Sequence, residues 1–406
     1  RTGSLTNQPP VRDPGSTSTA LARAAGSARF AYNWALARWN AQHEARMIDP
    51  SLPAPSQLAL RRELNAIKRT EFPWMLESTK CAPQEAIIAL GVAFANFFAG
   101  RTRRPTFKKK GVTRDSFRLS SGEFSIDGKR IRVPKLGWIR MREQLRWSDA
   151  RIVSVTISRR AGRWFASVQC ELPDAPAMVS AIPQNGSIGV DVGVREFVLS
   201  DGTRCQVPRG LRGAQRRLKH AQKSLSRKQR GSKNHAKARR EVARLHARVA
   251  DGRADWLHKL TADLADRHGR IVIEDLNVRG MTKNHRLALS IADASFGEFR
   301  RQLTYKTFER GTTLVVADRW FPSSKMCSVC PAKTKQKLPL DVRAWTCGTC
   351  GARHDRDLNA ARNLAAYDPA GSSPVAACGE LFATDLDHPS KSRGLDEAGT
   401  RHKPVE

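Results

Sequence analysis

Three carboxylates stand where an ion is costly. Asp191 lies in Ile188-Gly189-Val190-Asp191-Val192-Gly193, Glu274 in Ile271-Val272-Ile273-Glu274-Asp275-Leu276, and Asp357 in His354-Asp355-Arg356-Asp357-Leu358-Asn359-Ala360-Ala361. An acid at the end of a short β-branched run is expensive to bury as an anion unless a cation meets it. Two such runs and a third Asp therefore imply bound metal. Cleaving a phosphodiester needs an activated water, a stabilised departing oxygen and screening of charge at phosphorus. Two divalent ions about 4 Å apart meet all three needs, and convergent carboxylates must hold them. Mg2+ takes oxygen ligands and keeps several waters, so three or four acids suffice for two catalytic Mg2+ ions. Asp355 is expected to cap the last helix instead of binding metal.

Eight cysteines are present, and four form two CxxC pairs, Cys327/Cys330 and Cys347/Cys350, sixteen residues apart. Thiolates at this spacing sit on two tight knuckles that can surround one tetrahedral, structural Zn2+. Two disulfides or free core thiols are the competing reading, and disulfides are rare in a reducing cytosol. Cys81, Cys170 and Cys205 are isolated and read as small buried residues, and Cys378 as a tail thiol.

The charge balance fits a polyanionic partner: 71 Lys and Arg against 38 Asp and Glu give a net +33. Composition does not separate DNA from RNA. No run of about 18 apolar residues is visible and no signal-peptide layout opens the sequence, so the expectation is no membrane partner and a cytoplasmic, nucleoid-associated location in a prokaryote.

A length of 406 residues allows roughly two to three domains to carry these groups. Residues 1–19 are rich in Pro, Gly, Ser and Thr and are expected to be disordered. A helical region follows over 20–103, where Phe30, Trp34, Leu36 and Trp39 recur at helical spacing and read as core more readily than as a base-stacking platform. Over 104–180, short alternating runs at Phe117–Leu119, Phe124–Ile126, Ile131–Val133, Val153–Ile157 and Trp164–Val168 predict antiparallel strands of a small β-barrel. Residues 181–320 alternate apolar strands with helices, including Trp256–Leu264, as an α/β sheet does. A zinc ribbon over 321–352, a final helical segment over 353–366 and a disordered tail over 367–406 complete the chain. In the sheet, Asp191 and Glu274 should lie side by side near its centre. The last helix should deliver Asp357, with Ala361 and Leu364 on the same face and the small Ala permitting close approach.

Two basic runs read as phosphate contacts. One is the loop carrying Arg103, Arg104, Lys108, Lys109 and Lys110 around Phe107, although a solvated loop has the same composition. The other is a helical hairpin over 209–250, in which residues 209–248 hold fifteen Lys or Arg and one acid, Glu241. Its apolar seam runs through Leu211, Ala214, Leu218, Ala221 and Leu225, then Ala238, Val242, Leu245 and Val249. Like charges at four-residue spacing repel, so near-uniform positive charge favours a nucleic-acid backbone as counterion. Arg216, Arg217, Arg227, Lys228 and Lys233 are the candidate contacts.

At Gly189–Gly193, Ile271–Val278, Phe321–Cys330, Cys347–Cys350 and His354–Asn363, and at Arg29–Trp34 and Pro105–Gly111, the chain resembles the TnpB family, transposon-encoded RNA-guided endonucleases related to compact type V CRISPR effectors. The resemblance spans about residues 25 to 365. It implies a multidomain α+β protein: an N-terminal small, wedge-like β-barrel with a helical insertion, then an RNase H-like (RuvC) α/β domain with an inserted zinc ribbon. It further implies a guide RNA, a double-stranded DNA target beside a short adjacent motif, two-metal hydrolysis, and catalytic roles for Asp191, Glu274 and Asp357. One departure stands out, since family members usually open with a lysine-rich strand and residues 1–19 here read as loop. Competing expectations are a guided DNA-binding repressor that does not cut, a compact type V CRISPR effector, and a conventional transposase. The three intact acids disfavour the repressor. The lack of a separate helix-turn-helix reader, and of a Tyr or Ser nucleophile motif, disfavours the transposase.

Overall fold

Strand β1 (Thr2–Leu5) opens the chain and helix α1 (Pro14–Ile48) follows it. The computed structural model describes residues 2–5, 14–147, 150–171, 185–285, 287–334 and 342–369. The chain divides into two units, Arg1–Ala177 with Gly213–Asp251, and Met178–Arg212 with Gly252–Glu406.

In the first unit, α1 buries Leu21, Ala24, Ala28, Ala31, Ala35 and Trp39, a three-to-four-residue rhythm whose small alanines let other helices approach closely. Helix α2 (Gln57–Ile67) is capped by the Ser56 hydroxyl, which accepts from the Ala59 amide at 3.2 Å. Helix α3 (Cys81–Phe98) buries Cys81, Ala82, Ala86, Ile87, Leu90 and Phe94, and the Trp39 and Phe94 rings stack at 4.3 Å. The aromatic stripe of α1 is thus core, as its spacing predicts. By length and composition alone α3 could cross a membrane, contrary to the reading of the sequence as free of such a run. Its buried face instead belongs to this unit's core.

Strands β2 (Ser116–Ser120), β3 (Ser125–Asp127), β4 (Arg130–Val133), β5 (Gly137–Arg140), β6 (Arg151–Arg160) and β7 (Arg163–Glu171) supply the rest of that core. They form a four-stranded sheet, β1-β7-β6-β2, and a three-stranded sheet, β3-β4-β5. Phe117, Leu119, Ile131, Val133, Val155, Ile157 and Trp164 join one apolar cluster with α1 and α3. In place of a closed barrel there are therefore two antiparallel sheets around a common core, with no pairing between their edges among the described residues. The expected disorder of 1–19 is corrected twice: Thr2–Leu5 pairs antiparallel with Ser167–Trp164 of β7, and α1 begins at Pro14. A four-residue edge strand whose partner is some 160 residues away leaves no local period to read.

The second unit is built on strands β8 (Asn185–Val192), β9 (Glu196–Leu199) and β10 (Arg204–Gln206). Helix α4 (Gly210–Ser226) begins in this unit and α5 (Lys233–Arg267) ends in it, their intervening residues 213–251 grouping with the first unit. Then come β11 (His268–Glu274), the short helices α6 (Val278–Met281) and α7 (Ala288–Ala294), helix α8 (Phe296–Arg310), β12 (Thr313–Ala317), the ribbon strands β13 (Ala344–Thr346) and β14 (Arg353–Asp355), and helix α9 (Arg356–Ala365). The sheet order is β10-β9-β8-β11-β12, with β8, β11 and β12 parallel and β9 turned back on β8. The β9–β10 hairpin was readable: Phe197-Val198-Leu199 precedes Asp201-Gly202, a strong turn signal.

Trp256–Leu264 is not a separate helix but part of α5, which runs 35 residues without a break. Gly252 is tolerated within it, while Asp251 on the first-unit side pairs with Arg160 at 3.2 Å and Arg163 at 2.9 Å. At the other end the expected tail boundary moves outward, because Tyr367 packs edge-on against Phe321 at 4.7 Å and its hydroxyl accepts from the Asp318 amide. Residues 370–406, with Cys378, lie outside the described residues, as do 335–341 of the ribbon.

Candidate active site and zinc centre

Strand alternation sorts the sheet's two faces, and it decides where the acids go. Ile188, Val190, Ile271 and Ile273 point into a core with Leu257, Leu264, Phe296 and Phe299 from α5 and α8. Their neighbours on the opposite face, Val272 and Ala317, pack with Leu364 of α9. Asp191 and Glu274 fall on this α9 face, each one residue beyond an inward-facing Val190 or Ile273, and those two residues are partners in the parallel β8–β11 register. The expectation that both acids sit side by side at the sheet centre is met.

Helix α9 can reach that face because of Gly189. A Cβ built there would lie 2.0 Å from the Ala361 carbonyl oxygen and 2.4 Å from the Ala365 nitrogen, so only glycine admits the helix backbone. Ala361 and Leu364 are fully buried against the sheet. Asp357, one turn before Ala361, is thereby carried to the strand ends. Asp355 caps α9 by accepting from the Leu358 amide at 2.9 Å and pairs with Arg204 at 2.9 Å. Asp275 is likewise spent on ion pairs, with Arg300 at 2.7 Å and Arg319 at 2.5 Å. The neighbouring acids are thus occupied elsewhere.

Burial, then the negative charge of Glu274 and then that of Asp357, pushes the Asp191 carboxyl well above the usual carboxylate range, against a weaker pull from Arg356 and Arg343. Mutually repelling carboxylates in a half-buried setting call for a cation, and this donor set fits oxygen-loving divalent ions. Two further groups, not anticipated from the sequence, contact the acids. Ser323 Oγ donates to Glu274 Oε1 at 2.6 Å, and Arg343 Nη1 lies 2.9 Å and 3.3 Å from the two Asp357 oxygens.

The four CxxC thiols come together. All their sulfurs lie within 4.8 Å of one another, with Cys327–Cys350 at 3.7 Å and Cys330–Cys347 at 3.6 Å. A tetrahedron with metal–sulfur bonds of about 2.3 Å has edges of about 3.8 Å, so the cluster has the dimensions of a zinc site. The amides of Cys350 and Thr349 hold the Cys347 thiol below its ordinary value, at about 6, while, against the pull of the Ala332 backbone, hydrogen bonding to Cys350 and burial push Cys330 up to about 12. His354, quoted in the sequence only as part of a motif, places Nε2 3.0 Å from Cys327 Sγ and its ring 4.7 Å from Trp345.

Of the cations proposed to meet phosphate, Arg103, Arg104, Lys109, Lys110, Arg216, Arg217, Arg227, Lys228 and Lys233 are exposed, with Leu218, Ala221 and Ala238 buried along the hairpin seam. Lys108 departs from the expectation. Its ammonium sits 3.7 Å over the Tyr32 ring, and burial brings it down to about 8. Asn33 clasps the same residue's backbone, accepting from its amide at 2.8 Å and donating to its carbonyl at 2.9 Å. Lys108 pins the loop onto α1, while Phe107, Lys109 and Lys110 face solvent.

Comparison with known proteins gives a consistent assignment. A family model described as "Probable transposase" matches residues 167–285, a Cas12f1-like TNB domain matches 296–364, and a helix-turn-helix domain model matches 17–47, which here is one unbroken helix. A protein of Streptomyces pristinaespiralis named "Putative RNA-guided DNA endonuclease" is 41% identical over 89% of this chain and 87% of its own. Its Escherichia coli K12 counterpart InsQ is 34% identical over 91% and 93%. The fold is similar to that of a Cas12f1–sgRNA–target DNA complex solved by cryo-EM, with a TM-score of 0.51 at 14% identity, covering 89% of this chain and 84% of that one. With such identity across nearly the full length of its relatives, and with the acids and thiols gathered as described, this chain belongs to the TnpB family.

Proposed function

We propose that the protein is an RNA-guided DNA endonuclease of the TnpB kind, cutting double-stranded target DNA beside a short adjacent motif in a transposon setting. The observation that carries this reading is the placement of Asp191, Glu274 and Asp357 at one face of the sheet, where burial and then the charges of Glu274 and Asp357 raise Asp191. In this reading β8–β12 and α9 make up the RNase H-like (RuvC) nuclease domain, Cys327, Cys330, Cys347 and Cys350 hold one structural Zn2+, and the first unit is the wedge-like part with its helical insertion. Two Mg2+ ions would supply an activated water and screen the charge that builds on the scissile phosphate. The acids' part is to hold those ions in register with the DNA backbone. The exposed cations of the 103–110 loop and of α4–α5 neutralise guide RNA and heteroduplex phosphates, while base pairing reads the sequence.

The test is substitution of each acid. Asp191→Ala, Glu274→Ala and Asp357→Ala are each expected to abolish Mg2+-dependent cleavage by the guide-loaded protein while guided DNA binding persists. Asp355→Ala should still cut, since that acid caps α9. Cleavage that survives Asp357→Ala but is lost in Asp355→Ala would overturn the assignment of the third ligand. A wild-type complex that binds guided targets without cutting in Mg2+ would favour the repressor reading instead.

A further inference from the structure

Glu274 is held by a neighbour from outside its strand. Residues Phe321–Met326 lead from β12 to the first zinc knuckle, and Ser323, buried within this stretch at 4% exposure, aims its hydroxyl at Glu274 Oε1. A lone serine on a connecting segment would be a poor support unless its backbone were fixed. Here it is fixed from α9. Asn363 Nδ2 donates to the Ser323 carbonyl at 2.7 Å and to the Met326 carbonyl at 2.6 Å. Asn359 Nδ2 donates to the same two carbonyls, at 3.4 Å and 2.7 Å. The other end of the Asn359 amide, Oδ1, accepts from the Ser328 amide at 2.9 Å, inside the Cys327-to-Cys330 knuckle.

Both asparagines are buried, one turn apart on the helix that also presents Asp357. Their amides can be satisfied only if the 323–328 segment keeps its path. A hydrogen-bonded path thus runs from the zinc knuckle through Asn359 and Asn363 to Ser323 and ends on Glu274.

We infer that Ser323 is a positioning residue for Glu274, braced by Asn359 and Asn363 against the zinc knuckle, so that the ribbon sets the geometry of the metal-binding carboxylate as well as folding its own loop. This rests on the reading of Glu274 as a metal ligand. A hydroxyl donating to one carboxylate oxygen favours the ionised form and fixes its rotation, leaving the second oxygen for the cation. Supports of this kind commonly alter metal affinity or activity by about 10- to 100-fold when removed.

The experiment compares wild type, Ser323→Ala, the near-isosteric Ser323→Cys and Glu274→Ala, each as full-length protein loaded with guide RNA. Fe2+ with peroxide cuts a polypeptide locally, next to bound metal, and gives the Fe2+ concentration for half-maximal cutting around β8 and β11. Mg2+ titration of target cleavage, zinc content and melting temperature are measured alongside. For Ser323→Ala, the half-maximal Fe2+ and Mg2+ concentrations should rise about tenfold or more, with partial recovery of cleavage at high Mg2+, unchanged zinc and an unchanged melting temperature. Ser323→Cys, a weaker donor of similar size, should fall in between, which keeps the test decisive if the alanine variant folds poorly. Glu274→Ala should not recover at any Mg2+ concentration. Unshifted metal dependence in both Ser323 variants, with Glu274→Ala inactive, overturns the positioning role alone. Cleavage surviving in Glu274→Ala overturns the underlying reading of the acid.

Discussion

Gly189→Ala is the sharpest single perturbation of this fold, because a methyl there meets backbone and not a side chain that could swing aside. The added Cβ would stand 2.0 Å from Ala361 O, 2.4 Å from Ala365 N and 2.9 Å from Leu364 Cβ, whereas ordinary contact begins near 3.4 Å. Helix α9 must therefore retreat from β8 by about an ångström or more. Overpacking a tight core costs about 1–3 kcal/mol, and three contacts short of van der Waals distance place this substitution at the upper end. For a unit of roughly 150–250 residues each kcal/mol lowers the melting temperature by about 2–4 °C, so a fall of about 5–10 °C is expected. The functional consequence should be larger than the thermal one. The displaced helix carries Asp357, the proposed third metal ligand, and a misplacement of about 1 Å in a catalytic constellation can cost about 100-fold in rate. Single-turnover cleavage of a guided target, measured beside equilibrium binding and calorimetric melting, reads all three effects. Slow cleavage with near-normal binding is expected. A variant that cuts at the wild-type rate with an unshifted melting transition would refute the claim that α9 touches the sheet at Gly189, and with it the account of how Asp357 arrives.

With the four thiols read as the proposed structural zinc site, Cys347→Ser should lower stability and release metal; elemental analysis of reduced, freshly purified protein is expected to find one zinc per wild-type chain. Replacing Arg216, Arg217, Arg227 and Lys228 by Gln should weaken guide-RNA binding and flatten its salt dependence by about 0.7–0.9 log units per lost phosphate contact, with folding retained because these side chains lie off the Leu218 and Ala221 seam; unchanged affinity and slope would make the hairpin a solvated face. Lys108→Met should raise the melting temperature at pH 7. The Lys108 ammonium is brought down to about 8 by burial, so between pH 8 and its ordinary 10.5 the unfolded chain holds more proton than the folded one; the wild type therefore gains stability as pH rises through that window, and the advantage of the Met variant should shrink there in pH-resolved melts. A constant difference across the window would show that the cation–π contact with Tyr32, and not burial, governs the lysine.

Whatever depends on neighbours a few residues away was legible in the chain alone. Alternation along β8 and β11 places Asp191 and Glu274 on one face of a sheet, the three- and four-residue steps of α9 align Asp357 with Ala361 and Leu364, and CxxC spacing makes each knuckle. Which distant groups complete those pieces depends on the closed fold. Ser323 on Glu274, Arg343 on Asp357 and His354 beside Cys327 join residues 49, 14 and 27 positions apart, in pairings that no local period encodes. The same holds for β1, whose four residues become a strand only because β7 offers an unpaired edge, and for Lys108, which its own basic run marks as solvent-facing until Tyr32 supplies a ring beneath it. Local rules fix the period and spacing of side chains, whereas hydrogen bonds and burial between remote segments are satisfied only once the chain has closed on itself.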